Sequence, residues 1–300
     1  MTGPIAVVDV GGTDTKTGIV LPDGGLTEVR SVPTPSAPDA AEGVLRLAAE
    51  HVTRARANHP DLTAVGMVVP GIVDDATGTA VYSANLNWRD VPFAELLTRR
   101  AGLPAAVGHD VTAAGLAERR LGAGLGVDDL AVLVLGTGVA AALVSGGRAV
   151  RGGGYAGEVG HSPVGLAGER CRCGARGCVE TLAGGGAITR RYAARTGRAV
   201  PGVREVLAAA EAGDPDAAEV WREATDTLAL LIAQLAATLA PELVILGGGL
   251  ARAGTALLDP VADRLGTLLS VPRRPELRLT ALGAEAGLRG AGLLAAGERP

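Results

Sequence analysis

Ile5-Ala6-Val7-Val8-Asp9-Val10 and Lys16-Thr17-Gly18-Ile19-Val20 flank the turn Gly11-Gly12-Thr13. An apolar run of strand length, a glycine turn and a second short run predict a buried strand with an antiparallel partner. The pattern returns as Leu130–Leu135, Gly136-Thr137-Gly138 and Val139–Ser145. One such unit near the start of each half predicts a duplicated α/β fold with a cleft between the halves. Further buried strands are predicted at 64–69, 105–108 and 243–246, and helices over 40–57, 110–121, 216–240 and 284–296. Asp110 or Thr112 is the expected N-cap of the second helix. No linker is long enough to separate independent modules.

The chain has 300 residues, enough for two domains with a substantial core. It is 47% hydrophobic but only 2% aromatic, so that core must be mostly Ala, Val and Leu. A net charge of −4 argues against a nucleic-acid surface, which is usually basic. No apolar run reaches about 18 residues, so no membrane span is expected. The N-terminus lacks a basic n-region and does not read as a signal peptide.

Three loops follow hydrophobic strands and offer backbone N–H groups to phosphate. In Asp9-Val10-Gly11-Gly12-Thr13 the amides and the Thr13 hydroxyl can cradle phosphate, and Asp9 can hold Mg²⁺ through water. Gly136-Thr137-Gly138 repeats the design. Gly247-Gly248-Gly249 leaves room for a flat ligand such as adenine. Each of the three can equally be an ordinary turn. In Gly108-His109-Asp110, at a strand-to-helix junction, the carboxylate either acts as a general base toward a hydroxyl or only caps the helix. Asn85 or Asn87, in a polar loop, either faces a polyol or caps that loop.

All three cysteines lie in Cys171-Arg172-Cys173-Gly174-Ala175-Arg176-Gly177-Cys178, and His161 precedes them. Three thiolates and one imidazole are what a closed tetrahedral zinc site needs. An odd, clustered cysteine count opposes a disulfide framework and implies a reducing compartment. Glu158 and Glu180 bracket the loop. With His161 they can accept adjacent hydroxyls, or they can be surface charges.

Taken together these residues resemble the ROK family of sugar kinases, within the actin/hexokinase-like ATPase superfamily. The shared motifs are Asp9–Thr13, Pro70-Gly71-Ile72-Val73-Asp74, His109-Asp110, Gly136–Gly138, Glu158-Val159-Gly160-His161, Cys171–Glu180 and Gly247–Gly249. The resemblance implies a two-domain actin-like ATPase (ribonuclease H-like) fold. The small domain would be 1–111 with the C-terminal helix 284–300. The large domain, 112–283, would carry the zinc loop. It also implies ATP-dependent phosphorylation of a hexose hydroxyl, often the 6-hydroxyl, in the cytoplasm. Asp110 would be the base and Mg²⁺ would sit near Asp9. The sugar would meet Gly71, Asn85, His109, Asp110, Glu158, His161 and Glu180. Structural zinc would be held by His161, Cys171, Cys173 and Cys178. Family members commonly form homodimers or homotetramers.

Three departures bear on this implication. His109 replaces the family's Asn, which contacts the sugar, so sugar preference is expected to differ. Val139-Ala140-Ala141-Ala142 replaces a glycine run, so a stiffer or differently shaped phosphate loop is expected. Asp14 replaces a common Lys and adds negative charge near the phosphates; Lys16 is the only lysine in the chain. The alternatives are a kinase for an N-acetylhexosamine, fructose or a sugar-like cyclitol, a different phosphoryl donor, or a sugar-binding pseudokinase. A family repressor is disfavoured, because eight residues before Asp9 cannot hold a helix-turn-helix.

Overall fold

A computed structural model of the chain describes residues 3–36, 38–83, 85–165 and 168–298. In chain order its first half contains β1 (Ile5–Val10), β2 (Asp14–Val20), β3 (Leu26–Pro33), α1 (Ala40–Asn58), β4 (Ala64–Val69), β5 (Ile72–Asp74), β6 (Thr79–Ser83) and β7 (Trp88–Val91), then α2 (Phe93–Ala101), β8 (Ala105–His109) and α3 (Asp110–Leu121). Then come β9 (Leu130–Leu135), β10 (Val139–Ser145), β11 (Arg148–Ala149), α4 (Glu180–Ala183), α5 (Gly185–Thr196), α6 (Val203–Glu211) and α7 (Pro215–Thr238). The chain closes with β12 (Leu243–Gly247), α8 (Thr255–Leu268), β13 (Glu276–Leu279) and α9 (Ala286–Ala295). Among the described residues no helix is long and apolar enough to cross a membrane.

The contacts divide the chain into two compact units. Unit 1 holds residues up to Arg120, Arg151–Tyr155 and the segment from Ala284 on; unit 2 holds Leu121–Val150 and Ala156–Gly283. Each unit is built on a five-stranded mixed sheet, ordered β3-β2-β1-β4-β8 in unit 1 and β11-β10-β9-β12-β13 in unit 2. In both, an antiparallel hairpin leads into parallel strands. The duplication read from the two glycine turns is therefore present in the strand order itself. The sheet β5-β6-β7, short and polar, is an addition to unit 1 that the sequence pattern did not reveal.

Alternation along β1 decides what lies on each face of the first sheet. Ala6, Val8 and Val10 pack into the cluster with α1 and α2. Ile5 and Val7 face the other cluster, with Ala113 and Leu116 of α3 and Leu288, Ala291 and Leu294 of α9. By the period of two, Asp9 faces α9 as well. The C-terminal helix comes close because Gly66 of β4 has no side chain: a Cβ there would lie 2.0 Å from the Ala291 carbonyl oxygen. In unit 2, α7 buries Val220, Trp221, Ala224, Leu228, Leu231, Ile232 and Leu235, the stripe of an amphipathic helix. Asp214 caps it by accepting from the Asp216 and Ala217 N–H groups, and Pro215 opens it.

The packing of α9 yields a stability prediction. Gly66→Ala forces the helix off the sheet and is expected to destabilise the protein by about 1–3 kcal/mol. Urea unfolding tests this; a midpoint equal to wild type would show that α9 docks without the close approach.

Candidate active site and metal centre

Asp9 and Asp110 stand at the carboxyl ends of β1 and β8, two of the parallel strands of the first sheet. Ligands of open α/β sheets bind at that edge. Asp9 is partly buried against the first turn of α9, where a Cβ on Gly287 would lie 2.4 Å from Asp9 Oδ2. Burial, with the negative charge of Asp110 adding, pushes the Asp9 carboxyl up to about 6. Lys16 partly offsets this. It is the cross-strand partner of Asp9 and its Nζ donates to the Ala284 carbonyl at 3.1 Å. Gly11 N–H donates to Asp14 O at 3.0 Å, closing the turn, and Thr34 Oγ1 donates to Gly11 O. Gly12, Thr13 and Asp14 are exposed.

Asp110 opens α3, and its Oδ1 accepts from the Val111 N–H at 2.8 Å. His109 Nε2 lies 3.2 Å from the same oxygen. The expected Asp110 or Thr112 cap is replaced: the Thr112 N–H donates to His109 Nδ1 at 3.4 Å. An imidazole nitrogen takes this place because His109 precedes the first helical residue. Gly71 packs on the Tyr82 carbonyl oxygen, and Asn85 lies exposed in the turn between β6 and β7. Unit 1 also pairs Asp75 with Arg151, which the sequence pattern did not single out.

In unit 2, Gly136 N–H donates to Gly138 O at 2.9 Å, making the expected tight turn between β9 and β10. The Glu180 carboxylate at the head of α4 lies on this turn, accepting from the Val139 N–H at 3.2 Å. A Cβ on Gly138 would meet its Oε2 at 2.2 Å. Gly185 N–H, at the start of α5, donates to Gly136 O at 2.9 Å. The run Gly184-Gly185-Gly186 thus adjoins the turn between β9 and β10; three successive glycines at a helix start were the overlooked signal. Gly248, at φ +80°, lies flat on the Leu135 peptide, whereas Gly249 is open. Gly247 ends β12. The stiffened phosphate loop does not materialise. Ala140, Ala141 and Ala142 lie within β10, paired with Val134, Leu133 and Val132. Extended backbone suits alanine as well as glycine.

Ala141 N–H donates to the Gly157 carbonyl at 2.8 Å, so the Glu158–His161 segment lies along β10. His161, Cys171, Cys173 and Cys178 bring one ligand atom each within 4.8 Å of one another. Cys173 Sγ and Cys178 Sγ are 3.7 Å apart, as are Cys171 Sγ and His161 Nδ1. Zinc–sulfur bonds of about 2.3 Å give a tetrahedral edge of about 3.8 Å. The donor set and its spacing fit zinc. His161 Nε2 faces Glu158 Oε2 at 3.8 Å, the second-sphere carboxylate such a histidine commonly has. Burial pushes the Cys178 thiol up to about 12, while the Ala175 backbone holds Cys173 below its ordinary value. Ligation therefore releases protons and tightens as pH rises.

A hairpin-led mixed sheet occurring twice, carboxylates at the strand ends and a Cys3His loop define an actin-like ATPase-type kinase of α/β class. The ROK family profile matches residues 5–298, and the chain belongs to that family. The glucokinase of Streptomyces coelicolor is 34% identical over 96% of this chain and 96% of its own. The N-acetylmannosamine kinase of Shigella flexneri is 32% identical over 98% of this chain and 99% of its own. The structure of a ROK family glucokinase from Streptomyces griseus, in complex with glucose and AMPPNP, superposes with a TM-score of 0.86 at 33% identity. It covers 99% of this chain and 100% of that one. With these relatives the chain is a carbohydrate kinase.

Two predictions follow from the geometry. Asp9 binds its proton more tightly in the folded state than in the unfolded chain. Its contribution to stability is thus full below about pH 4 and lost as pH rises through about 6. Asp9→Asn should therefore raise stability at pH 8 by up to about 3 kcal/mol and leave it unchanged at pH 3. Denaturant titrations at the two pH values check this, and equal gains at both would refute the ionisation account. Cys173→Ser should lower bound zinc, measured by atomic emission, and Tm together. Undiminished metal with an unchanged Tm would remove the stapling role.

Proposed function

We propose that this chain transfers the γ-phosphate of ATP to a hydroxyl of a hexose, in the simplest case the 6-hydroxyl of glucose. The observation that carries the proposal is Asp110, a carboxylate at a strand end that accepts from the Val111 N–H, stands 3.2 Å from His109 Nε2 and is in electrostatic reach of Asp9. Asp110 takes the proton of the attacking hydroxyl. Positioning and charge neutralisation do most of the remaining work in such a transfer.

The backbone N–H groups and Thr hydroxyls of Gly11–Thr13 and Gly136–Gly138 hold phosphate oxygens, and Gly247–Gly249 lies beside the base. Glu158, His161 and Glu180 accept or donate to sugar hydroxyls, with Gly71 and Asn85 shaping the same reading. Glu180 is well suited to this, since the Val139 N–H already fixes one of its oxygens. Mg²⁺ fits Asp9: the carboxyl is a hard oxygen donor whose charge is disfavoured by burial and by Asp110, both of which a divalent cation relieves. Asp9 would hold the ion, which would supply charge neutralisation for the ATP phosphates. Zinc, held by His161, Cys171, Cys173 and Cys178, supplies structure: it fixes the loop between Glu158 and Glu180. Clustered thiols and ATP as donor support a cytoplasmic location.

ADP release from Mg·ATP, measured against glucose, mannose, fructose, N-acetylglucosamine, N-acetylmannosamine and a cyclitol, tests the proposal. Sugar-dependent turnover is expected, with glucose preferred. Asp110→Asn should reduce kcat by roughly 10²–10⁴-fold while leaving nucleotide binding intact. No turnover with any acceptor would sink the kinase reading for these sugars, and turnover surviving in Asp110→Asn would sink the assigned base.

A further inference from the structure

We propose that Thr34 is a positioning residue for the turn Gly11–Thr13: it draws the turn's carbonyls to one side and so presents its N–H groups to phosphate. This rests on the phosphate-binding role given to that turn above. Thr34 follows β3, between Pro33 and Pro35, neither of which has an N–H to donate. Its own N–H donates to the Thr13 carbonyl at 2.8 Å, and its Oγ1 donates to the Gly11 carbonyl at 2.8 Å. One residue thus holds both ends of the turn.

Counting hydrogens gives the direction of each hydroxyl. The Gly11 carbonyl can only accept, so the single hydroxyl hydrogen of Thr34 goes to it. Thr15 Oγ1 lies 2.9 Å from Thr34 Oγ1 and must then be the donor of that pair. Thr15 is fully buried on β2. A chain of donors therefore runs from inside the sheet through Thr34 to Gly11, each bond polarising the next. The prolines fix where Thr34 sits. A residue before proline is confined to extended backbone. Pro35 in turn is seated on α1, where a Cβ at Gly43 would lie 2.5 Å from Pro35 Cβ.

Across a planar trans peptide, the C=O of one residue and the N–H of the next point opposite ways. Holding the Gly11 carbonyl toward Thr34 therefore turns the Gly12 N–H away from Thr34. Gly12 and Thr13 are exposed, and a Cβ at Gly12 would meet nothing within 4 Å. Among the described residues no hydrogen bond takes up the N–H of either. An ordinary tight hairpin would direct the Asp14 N–H back to the Gly11 carbonyl. Here Thr34 holds that acceptor, and the turn closes through Gly11 N–H to Asp14 O instead. An anion gains most from amides whose direction is fixed before it arrives, since little ordering then opposes binding.

Thr34→Val keeps the side-chain shape and the backbone N–H and removes the hydroxyl. Calorimetry with Mg·ATP should show Kd raised about tenfold. Binding of adenosine, which has no phosphate, should be unchanged, and so should the sugar KM. Thr34→Ser retains the hydroxyl and should bind Mg·ATP as wild type does. Thr34→Val also leaves the buried Thr15 hydroxyl without its acceptor, which should lower Tm by about 2–4 °C. Adding Thr15→Val removes the stranded donor; the double variant should regain Tm but not ATP affinity. Wild-type ATP affinity in Thr34→Val overturns the proposal. So does an equal loss of adenosine binding, a Thr34→Ser as weak as Thr34→Val, or ATP affinity that returns with Tm in the double variant. A wild-type protein that binds Mg·ATP but phosphorylates no sugar would defeat the kinase reading and leave these affinities to decide the role of Thr34. A wild-type protein that binds Mg·ATP no more tightly than adenosine overturns the proposal itself.

Discussion

A carboxylate held partly out of water at the end of a strand is the constraint around which unit 1 is arranged. The period of two along β1 sends Ile5, Val7 and Asp9 to the same face of the sheet, and that face is covered by α9. An ionisable group there raises the energy of the fold whenever it is charged. The neighbouring residues answer this locally. Lys16 stands opposite in the register and contributes an attraction. Gly287 leaves room for the carboxylate where any side chain would displace it. Stability is thus given up at the position where a cation-bound polyphosphate would recover it, as expected of a site kept for function.

Unit 2 meets the same demand for a fixed polar group by different means. Glu180 is anchored to the backbone of the turn between β9 and β10, so the group assigned to the sugar and the loop assigned to the phosphates form one rigid piece. The segment around Cys171–Cys178 has little apolar side-chain volume of its own. A metal held by the Cys3His cluster would supply the rigidity that packing cannot, and an ion pair from Glu169 to Arg190 ties the loop to α5. Surface ion pairs of this kind are weak and would not hold the loop alone.

The departures from the family's residues are resolved by register. The alanines following Gly138 occupy strand positions, where the side chain of alanine adds no strain. Asp14 is exposed at the start of β2, two residues before Lys16, so a positive charge is still supplied on that strand. His109 keeps the helix-capping function open to a short polar residue, and its larger ring reaches on to Asp110.

The main strands and the helices α1, α3, α7 and α9 were legible in the chain, because their apolar residues recur with the period of the element that buries them. The duplicated hairpins and the Cys3His loop were legible as well, since a glycine turn and a thiolate cluster are local chemistry. The polar strands β5–β7 and the helices α2, α5, α6 and α8 were not, as short or evenly mixed segments carry no clear period. The roles of Gly287, Gly184–Gly186 and Lys16 were invisible for another reason: each acts on a residue distant in sequence. By itself, then, the sequence determined the family, the repeated strand–turn–strand unit and the clustering of His161 with the three cysteines. Only the tertiary structure decided which face Asp9 takes, what holds Glu180 and that His109 Nδ1 caps α3. Those are matters of register and of approach within a few ångströms, and no spacing along the chain encodes them.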